Sequence, residues 1–189
     1  MKIKNNYNIK SIFVFLILII FLPKYYTNTY NITIPDDGYK LNEINEYIQI
    51  LSLKYNNINI FLNVDVFSDE IRGKVIFQIP ENTNVSLIGK PTIITYPETT
   101  FYFNIEFNEY NNQTFTIENI TFKNFISERP DLTTLFFITA MHPNFNMYIK
   151  NCNFDVSNSS IVTYDIRYQL LHDEYQIIID SCYFKLVLN

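Results

Sequence analysis

The chain has 189 residues, 48% hydrophobic and 17% aromatic, which is material for one domain with a continuous core. Its net charge of -5, with Lys and Arg scattered rather than clustered, excludes nucleic acid as a partner, because phosphate binding needs a basic patch. Heavy use of Ile, Asn, Tyr and Phe, with Gly (3) and Trp (0) scarce, points to no particular activity.

Lys2, Lys4 and Lys10 precede an uncharged apolar run from Ile12 to Leu22. That run has the length of a secretory signal core and falls short of the roughly 20 residues that span a bilayer. Residues 1–30 therefore read as a signal peptide or signal anchor, cleaved or retained. The positive charge lies ahead of the apolar run, so both outcomes put the rest on the lumenal or outer face, with membrane contact only through an uncleaved anchor. Residues 31–189 form the domain. After a polar stretch holding Pro35-Asp36-Asp37-Gly38, where Asp36 and Asp37 suit helix capping, Leu41, Ile44, Ile48 and Leu51 recur at helical spacing and predict one short amphipathic helix. The period then becomes two: Ile58, Ile60, Leu62, Val64 and Val66, followed by Val75, Phe77 and Ile79, mark strands with one buried face.

Three segments then superpose residue for residue, Thr114–Lys123, Asn146–Asp155 and Gln176–Lys185, each about 30 residues after the last. Phe115/Met147/Ile177, Ile117/Ile149/Ile179, Ile120/Cys152/Cys182 and Phe122/Phe154/Phe184 repeat as apolar positions, and Val85/Leu87/Gly89 make a degenerate earlier copy. Two positions alternate in charge, Glu118/Lys150/Asp180 and Lys123/Asp155/Lys185, as expected of parallel strands stacked in register about 4.8 Å apart. Strand-like runs at Phe101–Phe107, Thr133–Ile138 and Ser160–Tyr168 fall between the copies, so each unit holds several strands and predicts a parallel β-solenoid. Asn119, Asn151 and Ser181 stand where the alternation slips by one residue. That is the expected corner, with amides stacking from coil to coil and Asn119 enclosed.

The order of helix, alternating strand, Ile79-Pro80-Glu81-Asn82-Thr83-Asn84-Val85-Ser86-Leu87-Ile88-Gly89 and then Ile117-Glu118-Asn119-Ile120-Thr121-Phe122 resembles the amino-terminal cap and first coils of pectin-lyase-like proteins, over residues 34–189. The resemblance implies an all-β fold, a right-handed parallel β-helix of about four coils with a short amino-terminal capping helix. The chain halts at Val187-Leu188-Asn189 just after a core strand, so the solenoid reads as incomplete at its C-terminus. The resemblance specifies fold better than activity, since its members include lyases, hydrolases and adhesins.

The Asn-Thr-Asp, Asp-Asp, Gly-His-Gly and Arg-Ile-Lys motifs of the family's hydrolases do not stand in these coils. Lys150 between Glu118 and Asp180 spoils a calcium site, and no cofactor is implied. Loop acids Glu106, Glu109, Asp165 and Asp173 remain the places where a carboxylate pair could converge. His142 and His172, each seven residues before a core isoleucine, are weak candidate metal ligands one coil apart, too few to define a site. Cys152 and Cys182 share a core position and are either a disulfide or two buried thiols. Sequons at Asn31, Asn112 and Asn158 are candidate glycosylation sites, and outward Tyr102, Tyr110, Tyr148 and Tyr183 are a candidate carbohydrate-stacking strip. The functional reading is a secreted or outer-face, non-catalytic surface module, adhesive or glycan-binding, with a carbohydrate or cell-surface partner. Its rivals are a polysaccharide lyase or glycoside hydrolase whose active coils are missing or unrecognised, and a truncated family member without activity.

Overall fold

The computed structural model of the chain describes residues 28–63, 66–67, 73–96, 101–126, 134–157, 160–167 and 176–186. The strands are β1 (Thr29–Ile34), β2 (Asn57–Leu62), β3 (Val66–Phe67), β4 (Gly73–Gln78), β5 (Thr83–Thr95), β6 (Phe101–Phe107) and β7 (Gln113–Ile126). They continue as β8 (Thr134–Ala140), β9 (Phe145–Lys150), β10 (Asn153–Ser157), β11 (Ser160–Ile166), β12 (Ile177–Asp180) and β13 (Tyr183–Leu186). A 3-10 turn at Leu41–Glu43 leads into α1 (Ile44–Ser52), the one α-helix among the described residues.

Each complete turn of chain visits three faces. The first carries β1, β2, the first half of β5, the first half of β7, β9 and β12; the second carries β3, the later halves of β5 and β7, β10 and β13. The third carries β4, β6, β8 and β11. All these pairings are parallel, and the result is a right-handed parallel β-helix of about four turns. Alternate residues point inward, so register puts like side chains in columns. One column runs Ile32, Ile60, Leu87, Ile117, Ile149, Ile179, and all but the last are fully buried. Each such burial contributes about 1.5–3 kcal/mol relative to exposure. Phe122, Phe154 and Phe184 form another column, their rings stacked at 5.3 and 5.2 Å, and Phe136 meets Phe122 edge-on at 5.3 Å from the third face. The three faces thus share one core.

Between the first and second faces the chain turns at single residues with left-handed backbone: Asn119 (φ 58°), Asn151 (φ 51°) and Ser181 (φ 53°). Asn pays less than most residues for this conformation, which confirms the corner. The expected amide stack is not built there. Asn119 is exposed, and the amides that bond between coils lie elsewhere, Asn59 to Asn31 at 3.0 Å and Asn84 to Asn57 at 2.8 Å. A corner at positive φ turns its side chain out of the stack, while a strand holds it in register with the next. In β5 the same corner is made by Gly89-Lys90-Pro91, and the register jumps from Ile88↔Glu118 to Thr92↔Ile120.

Helix α1 buries Ile44 and Ile48 against the solenoid, with Leu41 of the preceding turn. It also closes an edge: Asn45 Oδ1 accepts the Gln78 N–H at 2.9 Å, and Gln49 Nε2 donates to the Gln78 carbonyl at 2.8 Å, on the outermost strand of the third face. Unpaired strand edges invite foreign strands, and these two bonds satisfy the Gln78 peptide at the end of this one.

Two features depart from the sequence reading. The stretch before the helix contains a strand: β1 begins at Thr29 and pairs with β2 from Thr29↔Asn57 to Ile34↔Leu62, so Thr29 and Tyr30 lie in the sheet. Its alternation spans only six residues, and its core column becomes legible once β2 lies beside it. Asp36 and Asp37 do not cap the helix. Asp37 Oδ2 accepts the Thr33 N–H at 2.6 Å and Asp36 Oδ2 accepts from Asn63 Nδ2 at 2.5 Å, fastening the turn after β1. Residues 1–27 lie outside the described residues, and among the described residues no helix is long and apolar enough to cross a membrane.

Gly89 is the tightest point of this geometry, because a Cβ there would sit 2.3 Å from the Asn119 carbonyl oxygen of the next coil. Backbone cannot yield as a flexible side chain does, so Gly89→Ala is expected to cost about 2–3 kcal/mol, the range of severe overpacking. Urea unfolding of the variant against the parent measures it, and an unchanged midpoint would contradict the close approach.

Candidate functional site

The outer surface of the first face is the most regular feature of the exterior. Register aligns its outward side chains into rows: Asn57, Asn84, Thr114 and Asn146; Asn31, Asn59, Ser86, Thr116, Tyr148 and Ile178; Thr33, Phe61, Ile88, Glu118, Lys150 and Asp180. Members of a row stand about 4.8 Å apart, and the rows are separated by two residues, about 7 Å. Short amides and hydroxyls dominate the first two rows. Phe61 and Tyr148, both half-buried, stand in neighbouring rows, three strand spacings or about 14 Å apart across the strands and offset by two residues along them.

The charge row has the predicted register, Glu118↔Lys150↔Asp180, but not closed ion pairs. Among the described residues the ion pairs are Lys40–Glu43 at 3.8 Å, Arg167–Asp165 at 3.0 Å and Lys185–Asp155 at 3.2 Å. The second ladder therefore closes at Lys185–Asp155, whereas the Lys150 ammonium lies 4.7 Å from the centre of the Tyr148 ring. A lysine between two carboxylates is still favoured by both, and its place over the ring orients Tyr148 at the surface.

The candidate stacking tyrosines do not form one strip. Tyr148 lies on the first face, Tyr102 on the third, Tyr183 on the second, and Tyr110 in the turn before β7. Four positions that alternate correctly along the chain are separated by the corners of the coil. Tyr110 instead stacks on His142, ring centroids 3.7 Å apart, and Asn144 Nδ2 donates to the Tyr110 carbonyl at 2.8 Å. His142 is thus half of an aromatic pair in the turn before β9, while His172 lies outside the described residues. No group of three or more His, Cys, Asp or Glu side chains converges among the described residues.

Glu106 and Asp165 share a register row on the third face with Thr139 between them, two strand spacings or about 10 Å apart. Each is engaged locally: Glu106 accepts from Asn104 Nδ2 at 2.6 Å and Asn108 Nδ2 at 3.2 Å, and Asp165 accepts from Arg167 Nε and Nη2 at 3.1 and 3.0 Å. Glu109 is exposed in a turn and Asp173 lies outside the described residues. Asn31 and Asn112 are exposed, Asn112 in the turn before β7 and Asn31 within β1 with its Oδ1 accepting from Asn59; Asn158 lies outside the described residues.

Cys152 and Cys182 are free thiols, the first fully buried and the second half-buried. Burial, with Cys182 and Glu118 adding to it, pushes the Cys152 thiol up to about 12 from an ordinary 9.0.

Missed by the sequence reading are Phe61 and Lys90. Phe61 sits in a clean alternating strand as an outward residue, and only the neighbouring strand brings the Lys90 ammonium to 6.0 Å from its ring. In comparisons with known proteins, no family model, curated protein or solved structure matches the chain.

Lys150→Glu would place three carboxylates in one row and remove the cation over Tyr148. It is expected to destabilise by about 1 kcal/mol, against little change for Lys150→Gln. Denaturant midpoints at low salt, where such pairs act most strongly, give the comparison. The raised Cys152 thiol predicts alkaline sensitivity under reducing conditions. The folded chain keeps that proton up to about pH 12, whereas the unfolded chain releases it above pH 9.0. Stability is therefore complete below pH 9 and declines as pH rises towards 12, by up to about 1.4 kcal/mol per pH unit. Cys152→Ile, the residue type that coil position holds at Ile120, should flatten the decline between pH 9 and 10 in urea titrations.

Proposed function

We propose that this chain is a non-catalytic β-helix module of the pectin-lyase-like kind, displayed on a secreted or outer face, that holds a neutral glycan along the outer surface of β2, β5, β7 and β9. The observation that carries this reading is the row Asn59, Ser86, Thr116 and Tyr148, short hydrogen-bonding groups leading to one aromatic ring, with a second ring, Phe61, in the neighbouring row two residues after Asn59. Pyranose rings offer one apolar C–H face and a rim of hydroxyls. Rings such as Tyr148 and Phe61 take the former, and amides and hydroxyls at 4.8 Å intervals take the latter. The charges of the same surface, Glu118, Lys150 and Asp180, alternate along their row with one more acid than base, which favours a neutral sugar over a uronic acid. Lys2, Lys4, Lys10 and the apolar run behind them support the location, and exposed sequons at Asn31 and Asn112 suit a glycoprotein of that compartment.

The test is co-sedimentation and affinity electrophoresis of the purified protein with neutral and acidic polysaccharides, calcium present and absent. Retention by a neutral glycan is expected, weakened about fivefold or more by Tyr148→Ala, a change that removes an outward ring and leaves the core intact. Cleavage abolished by Glu106→Gln or Asp165→Asn would replace this reading by the hydrolytic one. Absence of both retention and cleavage would favour an inactive family member.

A further inference from the structure

We infer that Cys152 and Cys182 are a redox pair that closes into an intercoil disulfide by exchange with a low-molecular-weight disulfide of the glutathione class, fastening β12 and β13 to the coil beneath. The two cysteines hold one position in successive coils. Lys150↔Asp180 pair on one side of them and Asn153↔Tyr183 on the other. Each follows a left-handed corner residue, Asn151 or Ser181. The corners are tied to each other by the Asn151 N–H donating to the Asp180 carbonyl at 3.1 Å and the Tyr183 N–H donating to the Cys152 carbonyl at 2.9 Å. Parallel neighbours in this register have Cα atoms about 4.8 Å apart, within the 4.4–6.8 Å range that disulfides span.

The side chains also point alike. Cys152 Sγ donates to the Lys150 carbonyl at 3.2 Å and Cys182 Sγ to the Asp180 carbonyl at 3.3 Å. Cys182 Sγ is in addition 3.5 Å from the Ile149 carbonyl, in the coil that carries Cys152. In-register neighbours hold their Cβ atoms somewhat farther apart than the relaxed 3.8 Å of a bridge, so closure requires a small shift of one corner. The coil of Cys182 is the more lightly packed of the two: Ile179 and Phe184 are 45% and 47% exposed. At the same place the preceding coil carries Ile120, so the shared corner does not itself demand sulfur.

Accessibility and acidity set the order of events. The half-buried Cys182 thiolate attacks one sulfur of the small disulfide, forming a mixed disulfide and expelling one thiolate, which takes up a proton. Cys152 then gives up its proton and attacks the Cys182 sulfur, forming the Cys152–Cys182 bond and expelling the second thiol. Two protein thiols are oxidised to one disulfide, and one small disulfide is reduced to two thiols. Burial of Cys152 keeps its thiol protonated, so the second step is the slow one and Cys182 is the entry point.

The experiment treats the reduced, purified full chain with oxidised glutathione, quenches with an alkylating agent, and reads intact mass, peptide maps and hydrogen exchange. The expected product has lost two hydrogen atoms, yields a Cys152–Cys182 cross-linked peptide, and exchanges the amides of Ile177–Leu186 about tenfold or more slowly than the reduced chain. Cys152→Ile, which keeps an apolar residue in the core, should stop at a stable glutathione adduct on Cys182. A parent chain that also stops at that adduct, remains fully alkylatable, or links only between molecules would overturn the proposal. So would a bridge that leaves exchange across β12 and β13 unchanged.

Discussion

The parallel ladder that sets one coil on the next every 4.8 Å is the constraint from which the other features follow. It admits an offset only where the chain bulges, as between Ile88 and Thr92 and at Asn124, because elsewhere a slip of one residue would turn every inward side chain outward. Each position is therefore judged against its own equivalents one coil away. Like must sit comfortably on like, or opposite on opposite. Apolar positions answer with Ile32, Ile60, Leu87, Ile117 and Ile149 in one column, and aromatic positions with the near-parallel rings of Phe122, Phe154 and Phe184. Identical charges cannot obey this rule at such spacing, which is why Glu118, Lys150 and Asp180 alternate.

The same constraint makes corners and edges the demanding places. A corner must reverse the backbone without disturbing the ladder, and three coils do so with one left-handed residue each, while β5 uses Gly89-Lys90-Pro91 and a close backbone approach. An edge must satisfy peptide groups that have no further coil. On the third face Asn45 and Gln49 of the helix bond the Gln78 peptide at the end of β4, while Ile44 and Ile48 of the same helix join the core. The coil formed by β12 and β13 has Ile178, Ile179, Tyr183 and Phe184 exposed, and the two cysteines lie at its junction with the coil before.

Outward positions carry no packing duty and are where function can be varied on a fixed scaffold. Here the ladder shapes the exterior as strictly as the core. It aligns Asn, Ser and Thr side chains into rows on the first face and alternates its charges, Glu118, Lys150 and Asp180. A surface of that kind offers repeated hydrogen bonding without a strong field, and the proposed glycan reading rests on it.

The sequence by itself determined the repeat, the inward columns, the left-handed corners at Asn119, Asn151 and Ser181, and the alternation of charge, because these are properties of equivalent positions and can be compared along one chain. It was also sufficient for the helix and for β6, where periodicity is unbroken. Tertiary structure decided what depends on distance between positions that are not equivalent. β1 needed β2 beside it before its short alternation meant burial, and Asp36 and Asp37 met Asn63 and Thr33 rather than the helix. Tyr102, Tyr110, Tyr148 and Tyr183 were dispersed over separate faces and a turn, while Tyr110 was brought to His142. Lys150 had the register for its carboxylates but came to rest over Tyr148, since a long side chain chooses its partner within the surface and not along the repeat. Periodicity fixes which residues stack; side-chain length and the corners of the coil fix which of them touch.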